Sequence, residues 1–152
     1  MILSPDDYLL DEDGRYMWTP ERSRMAWGRI QQEVLDLLPR HSKLVLLAGL
    51  PGAGKTCWVH TPGNIEPGAL YLDATFVKKV WRRPFLQLAL RLGKPIEILC
   101  FKVPLSTLLE RNSKRPTTRT PGPEVLIEWF ETFNREFPST SDGFNRVETI
   151  FP

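Results

Sequence analysis

Leu44-Val45-Leu46-Leu47-Ala48-Gly49-Leu50-Pro51-Gly52-Ala53-Gly54-Lys55-Thr56 is the stretch on which the fold turns. Its first five residues are apolar without alternation, too short for a buried helix and bounded by Gly49, as a central parallel strand should be. From Gly49 to Thr56 the chain then follows the pattern GxxxxGK[ST]. Gly49 releases the strand into a tight loop, and Gly52 and Gly54 can adopt positive φ, so that successive backbone N–H groups converge on one anionic pocket. A helix beginning near Lys55 adds its positive dipole end. Lys55 can reach the β- and γ-phosphates of a nucleotide, and the Thr56 hydroxyl suits a Mg²⁺ ligand. A strand before the string and a helix after it separate this motif from a chance match. The expected ligand is a nucleoside triphosphate, MgATP foremost, held by Gly49, Pro51, Gly52, Ala53, Gly54, Lys55, Thr56 and the adjoining Cys57.

Outward from this stretch, strands and helices alternate. Ile2-Leu3 is a minimal first strand. Thr19 offers an N-cap with Pro20 at the first helical position, and Trp27, Ile30, Val34 and Leu37/Leu38 recur at helical spacing up to Pro39. The helix after the loop must be brief, because Pro62-Gly63 cannot continue it. Ala69 to Asp73 reads as a strand with its acidic residue at the carboxyl end. Trp81, Phe85, Leu88, Ala89 and Leu92 suggest a helix stopped by Gly93, which Pro84 must either begin or kink. Ile96 to Val103 is a further strand, Leu105, Leu108 and Leu109 open a helix, and Val125, Leu126, Trp129, Phe130 and Phe133 define another. Arg146 to Phe151 closes as an edge strand. This alternation predicts an α/β three-layer sandwich around a mostly parallel five-stranded sheet, with ligands beyond the strands' carboxyl ends.

The chain has 152 residues, 41% apolar and 25% charged, which fits one domain, 1–152, able to bury its own core. No apolar run approaches the roughly 20 residues of a membrane span. The N-terminal residues lack a basic start and a long apolar stretch, so the cytosol is the expected compartment. Cys57 and Cys100 have no paired metal or disulfide spacing and are expected as buried, reduced thiols. His41 and His60 are isolated and read as turn or surface residues. The net charge of +2 is too small to argue for nucleic acid by itself. Its distribution is uneven: Asp6, Asp7, Asp11, Glu12 and Asp13 form an acidic run, and Arg111, Lys114, Arg115 and Arg119 a basic one.

Three further constellations bear on chemistry. Asp6-Asp7 follow the first strand, at the sheet end where a γ-phosphate would lie, and a carboxylate there can orient and deprotonate a hydroxyl; the alternative is a local loop cap. Asp73 ends its strand in the manner of a Mg²⁺-holding carboxylate, with an N-cap as the alternative. Arg111 and Arg115 lie four apart on a helix, so they share a face and could close together over a triphosphate, where guanidinium groups stabilise charge on the transferring phosphoryl oxygens; a solvated basic face is the alternative. Arg82 and Arg83 read as surface charge on a helix, and Trp81 and Trp129 as core packing first, with stacking on bases or on a partner as the alternative.

Asp6-Asp7-Tyr8, Gly49 to Thr56, Asp73-Ala74-Thr75, Arg82-Arg83, and Val103-Pro104 followed by Arg111-Asn112-Ser113-Lys114-Arg115 together resemble the bacteriophage-type polynucleotide 5′-kinases and their small ATPase relatives. The resemblance implies that Lys55 and Thr56 hold ATP and magnesium, that Asp6 is the general base toward a 5′-hydroxyl, and that Arg111 and Arg115 belong to a lid near 105–122. In that family the P-loop strand comes first and the Asp-Asp strand second. Here Asp6-Asp7 precede Gly49, so the motif order is permuted, and keeping the family's arrangement implies a spatial strand order 1-3-2-4-5. The family also carries an acceptor-binding arginine shortly after its Asp-Asp-Tyr motif. Here Leu9-Leu10 stand there, with Arg15, Arg22 or Arg24 as substitutes.

The expectation is an ATP-dependent phosphotransferase acting on a hydroxyl, with Asp6, Lys55, Arg111 and Arg115 catalytic and Thr56 and Asp73 at the metal. A 5′-OH nucleic-acid end leads as acceptor. A small-molecule acceptor such as a nucleoside, antibiotic or nucleotide sugar is the runner-up, and a nucleotide-dependent binding module is the reading from another class. Oligomeric state leaves no mark on the sequence.

Overall fold

The apolar run Leu44–Ala48 forms β2, and every one of its residues is buried. Since alternate side chains of a strand point to opposite faces, burial of all five means that both faces of the sheet are covered there. The computed structural model describes residues 1–116 and 119–152. In chain order its elements are β1 (Ile2–Leu3), α1 (Pro20–Leu37), β2, α2 (Lys55–Val59), β3 (Leu70–Asp73), α3 (Lys79–Arg91), β4 (Ile96–Phe101), α4 (Leu105–Ser113), α5 (Pro123–Arg135) and β5 (Arg146–Ile150).

All five strands join one parallel sheet in the order β1-β3-β2-β4-β5. The register sets Leu47 of β2 opposite Asp73 of β3 and opposite Leu99 of β4. β1 lies on the far side of β3, with Leu3 opposite Leu72. The strand order is the one expected from the motif order, and α1 carries the chain from the β1 edge to the central β2. Carboxyl ends of β1, β3 and β2 therefore sit side by side, although their residues come from distant parts of the chain.

Local chemistry accounts for the helix starts. Thr19 is extended and its hydroxyl accepts from the Arg22 N–H at 3.0 Å, with Pro20 in the first turn. Ala26, Ile30 and Val34 form the buried stripe of α1, and Trp27 meets Phe76 and Phe85 at ring-centroid distances of 5.5 and 5.9 Å. The helix ends one residue before Leu38, where Pro39 is taken up in a 3₁₀ turn, Leu38–Arg40. α3 begins at Lys79, so Pro84 lies inside it and not in its first turn. α4 ends at Ser113 with Lys114 as its C-cap. Arg115 thus stands in the turn beyond the helix, because Pro116 disfavours helical backbone at the residue before it. Of the expected lid near 105–122, positions 117 and 118 lie outside the described residues.

Two residue readings are corrected. Cys57 is exposed rather than buried, because α2 is only five residues long and turns this position outward; Cys100, in central β4, is buried as expected. Arg82 is not surface charge: it is 1% exposed. Its guanidinium donates to the carbonyls of Phe76 at 2.9 Å and Val77 at 3.4 Å, and also to that of Glu136. It thereby fastens α3 to the segment leaving β3 and to the end of α5. Among the described residues, no helix is long and apolar enough to cross a membrane.

Candidate active site

Four strand ends deliver the polar residues. Ser4 follows β1 and its hydroxyl accepts from the Asp6 N–H at 3.3 Å, starting a 3₁₀ turn, Pro5–Tyr8, that carries Asp6. The local cap is therefore Ser4, which leaves the Asp6 carboxylate for other partners. β2 opens into the loop Gly49–Gly54, β3 ends on Asp73, and β4 leads through α4 to Arg111 and Arg115. Asp73 does not cap α3, whose N-cap is Lys78.

These segments border one cavity of about 1010 Å³. Drug-sized ligands occupy roughly 300–1,000 Å³, so there is space for a nucleotide and a second substrate. Asp6, Lys55, Thr56, Asp73, Arg111 and Arg115 all line it, with Pro51, Gly52, Gly54 and Cys57. Gly49 and Ala53 do not. Ala53 is buried beneath the loop, and Gly49 contributes its carbonyl to Lys55.

Gly52 and Gly54 have φ of +84° and +92°, values that side-chain-bearing residues rarely adopt. At Gly52 there is a second constraint, since a Cβ would stand 3.0 Å from Asn112 Nδ2. The buried Asn112 amide donates to Pro51 O and Leu108 O, each at 2.8 Å, and so ties α4 to the loop. Arg111 adds a donation to Gly52 O at 2.9 Å. Asn112 stood inside the Arg111–Arg115 string, yet nothing in its residue type marked it as the tie.

Lys55 is buried and donates to Gly49 O at 2.7 Å and Leu50 O at 3.0 Å. Burial pulls its ammonium down to about 8, against the opposing pull of the Asp73 and Asp6 charges. Two carbonyls hold it where phosphate oxygens would otherwise compete for its protons. Asp6 is shifted the other way. Burial of its carboxyl in the cleft raises it above 3.8, the Asp73 charge adds to this, and Tyr16, Arg119 and Lys55 oppose it. Its side chain still reaches solvent.

Thr56 Oγ1 donates to Asp73 Oδ2 at 2.7 Å. Hydroxyl and carboxylate oxygens are the hard donors that Mg²⁺ takes, and this ion commonly binds through one or two carboxylates, several waters and substrate phosphates. The pair fits an ion that arrives with the nucleotide. No group of three or more His, Cys, Asp or Glu among the described residues could cage a metal by itself.

Two further cavity residues were given no individual role by the sequence, Arg119 being marked only as part of the basic run. Tyr16 sits on a short hairpin, bridging antiparallel to Leu10, and its hydroxyl approaches Asp6 Oδ1 at 3.4 Å. Arg119 lies over the Tyr16 ring at 5.3 Å. Of the proposed substitutes for the missing arginine, Arg22 is committed to Met17 O at 2.9 Å and Leu10 O at 3.3 Å, and Arg15 and Arg24 do not line the cavity. Arg119 is the additional cation that does. Trp81 and Trp129 are half-buried: they pack against the core, as expected, and also form cavity wall.

No curated protein sequence matches this chain. A family model described as an AAA domain matches residues 66–139, just under half of the chain, from the approach to β3 through α5. That similarity, added to the loop and the strand order, supports a P-loop, nucleotide-dependent domain of kinase-like character.

Proposed function

We propose that the protein transfers the γ-phosphoryl group of ATP to a hydroxyl. The observation that carries the reading is the placement of Asp6 and the Gly49–Thr56 loop on opposite sides of Asp73 at one sheet end, facing one cavity. A nucleotide-hydrolysing switch needs the loop and Asp73. A carboxylate beside them, held above the ordinary aspartate value by burial, suits proton abstraction from an acceptor.

In the proposed step the acceptor oxygen attacks the γ-phosphorus and its proton passes to the Asp6 carboxylate. The bond from γ-phosphorus to the bridging oxygen breaks, and its electron pair leaves on ADP. The loop's N–H groups and Lys55 hold the β- and γ-phosphates, while Arg111 and Arg115 face the charge that spreads over the transferring oxygens. Thr56 and Asp73 would hold magnesium, which when bound neutralises charge between the phosphates.

A 5′-hydroxyl nucleic-acid end is the acceptor that the resemblance supports, with the order of motifs permuted. A small-molecule hydroxyl is the second reading: Arg15, Arg22 and Arg24 supply no cation to the cavity, and Arg119 over the Tyr16 ring is the single addition among the described residues, one cation rather than a basic groove. Labelled ATP offered to 5′-OH RNA and DNA, nucleosides, nucleotide sugars and no acceptor tests both. Wild type should label an acceptor, Lys55→Ala should lose nucleotide binding, and Asp6→Asn should bind ATP without transfer. Full transfer by Asp6→Asn would remove Asp6 as the base. ATP binding with no acceptor ever labelled would leave a nucleotide-dependent binding module.

A further inference from the structure

The chain has five tryptophans, and Trp18, Trp27, Trp58, Trp81 and Trp129 all line the one cavity. Trp27, Trp58, Trp81 and Trp129 also pack partly against the core. The five are unevenly exposed: Trp18 is 55% exposed at the rim, and Trp81 and Trp129 are half-buried. Trp81 and Trp129 meet edge-to-face, with ring centroids 5.6 Å apart and planes at 90°, so that two perpendicular indole surfaces from α3 and α5 form a corner.

The charges lie elsewhere. The cations lining the cavity are Lys55, Arg111, Arg115 and Arg119, from α2, α4 and the segment after α4. The α3 wall is made of Val80, Trp81, Pro84 and Phe85, with no charged group. Arg82, on the same helix, is buried against backbone carbonyls, and Lys78 sits over the Trp81 ring at 5.0 Å without lining the cavity. This wall packs against α1, which in turn carries the turn holding Asp6. It is therefore on the acceptor's side of the phosphates. One polar feature interrupts it: Pro84 has no N–H, which leaves the Val80 carbonyl without its usual intrahelical donor, and both residues line the cavity.

We infer that the acceptor is read at a single flat, uncharged ring, seated in the Trp81–Trp129 corner, with little contribution from phosphates beyond it. The inference rests on the phosphotransferase reading for the identity of the acceptor side. A backbone-tracking site needs a basic groove leading away from the reaction centre, together with stacking platforms; here the platforms are present, Lys55, Arg111 and Arg115 belong to the phosphate loop and the α4 end beside it, and among the described cavity residues a single cation, Arg119 over the Tyr16 ring, stands beside Asp6. A free nucleoside and the terminal nucleoside of a nucleic acid both offer the ring. Extending the second beyond its first nucleoside should add little affinity.

The test compares adenosine, ribose and a series of 5′-OH oligonucleotides as acceptors with MgATP, for wild type, Trp81→Ala, Trp129→Ala and the conservative Trp81→Phe and Trp129→Phe. The alanine variants should raise the acceptor KM about tenfold or more, in line with roughly 1–3 kcal/mol per stacked base. The KM for ATP should stay within about twofold, which also shows that the variants fold, and phenylalanine should restore most of the loss. Ribose should be a poor acceptor, and the oligonucleotide KM should be nearly independent of length and only weakly dependent on salt. Equal KM values for ribose and adenosine, unaltered acceptor KM in the alanine variants, or an affinity that climbs with length and collapses with salt would each overturn the inference and leave phosphoryl transfer standing. A separate binding measurement, adenosine quenching of tryptophan fluorescence with a saturating non-hydrolysable MgATP analogue present, covers the converse. Wild-type quenching, together with adenosine binding in equilibrium dialysis that the alanine variants lose, without transfer to any acceptor, would keep the ring subsite and sink the kinase reading.

Discussion

Thr56 Oγ1 donates to Asp73 Oδ2 across 2.7 Å, joining the first turn of α2 to the last residue of β3. Two residues seventeen apart in sequence thus present hydroxyl and carboxylate oxygens at one point below the phosphate loop. Asp73→Asn should keep the fold, because the amide oxygen can still accept from Thr56. It should need several-fold more Mg²⁺ for half-maximal transfer and lower kcat by about tenfold to a hundredfold, the range seen when metal-site partners are removed. A Mg²⁺ titration of both proteins, with chelator abolishing transfer, measures this. An unchanged titration would take Asp73 out of the metal site.

Asp6 has to be ionised to accept a proton, and burial holds its carboxyl above 3.8. Transfer should therefore fall as pH drops through a value higher than that of an ordinary aspartate, and kcat/KM against pH gives that limb. The same shift has a sign for stability. The folded state binds the Asp6 proton more tightly than the unfolded chain does, so ionisation costs stability above the folded value and nothing below 3.8. Asp6→Asn should accordingly have a slightly higher Tm than wild type at pH 7 and an equal one near pH 3. Melting curves at the two pH values check it.

Arg82 is the largest fully buried side chain among the described residues. Replacing it with Ala strips donors from the buried carbonyls of Phe76 and Val77 and from the partly buried one of Glu136. Each unpaired buried group costs about 1–3 kcal/mol, so a loss of about 3 kcal/mol or more is expected, seen as a Tm lower by roughly 6–12 °C. Arg82→Lys should rescue little, since one ammonium does not reproduce the fork that spans separate carbonyls. Thermal denaturation of the two variants decides it.

Cys57 and Cys100 should differ sharply toward a thiol reagent. Cys57 is exposed and lines the cavity. Cys100 is buried in β4, where burial pushes its thiol up to about 12, and the thiolate is the reactive form. Native protein should titrate one thiol per chain and unfolded protein two. MgATP should slow the native reaction by several-fold; an identical rate with and without nucleotide would place the phosphates away from α2.

The position of Asp6, Asp73 and the loop at one sheet end was legible in the sequence. Unbroken apolar runs mark buried strands, Thr19-Pro20 marks a helix start, and parallel strands force every turn that follows a strand to the same sheet end. Those are short-range signals and a topological rule; the strand order followed only from the resemblance and its permuted motifs. The same signals placed Arg111 and Arg115 in one region but put both on the helix, because Pro116's effect on the preceding residue was outweighed by their four-residue spacing.

Other assignments waited on the tertiary structure. Arg82 and Arg83 are adjacent and of one type, yet Arg82 is buried and Arg83 exposed; the carbonyls that satisfy Arg82 come from Phe76 and from Glu136, which lies far along the chain. Trp81 and Trp129 carry the spacing of core residues, and only the meeting of α3 with α5 makes them a cavity wall. Tyr16 reaches Asp6 through a hairpin that no periodicity announces. The sequence by itself determined which elements form and where the phosphate chemistry gathers, since hydrophobic period, capping and loop chemistry act over a few residues. Which faces close around the cavity was decided by packing between elements distant in the chain, where burial of a side chain depends on the partner's surface rather than on its own neighbours.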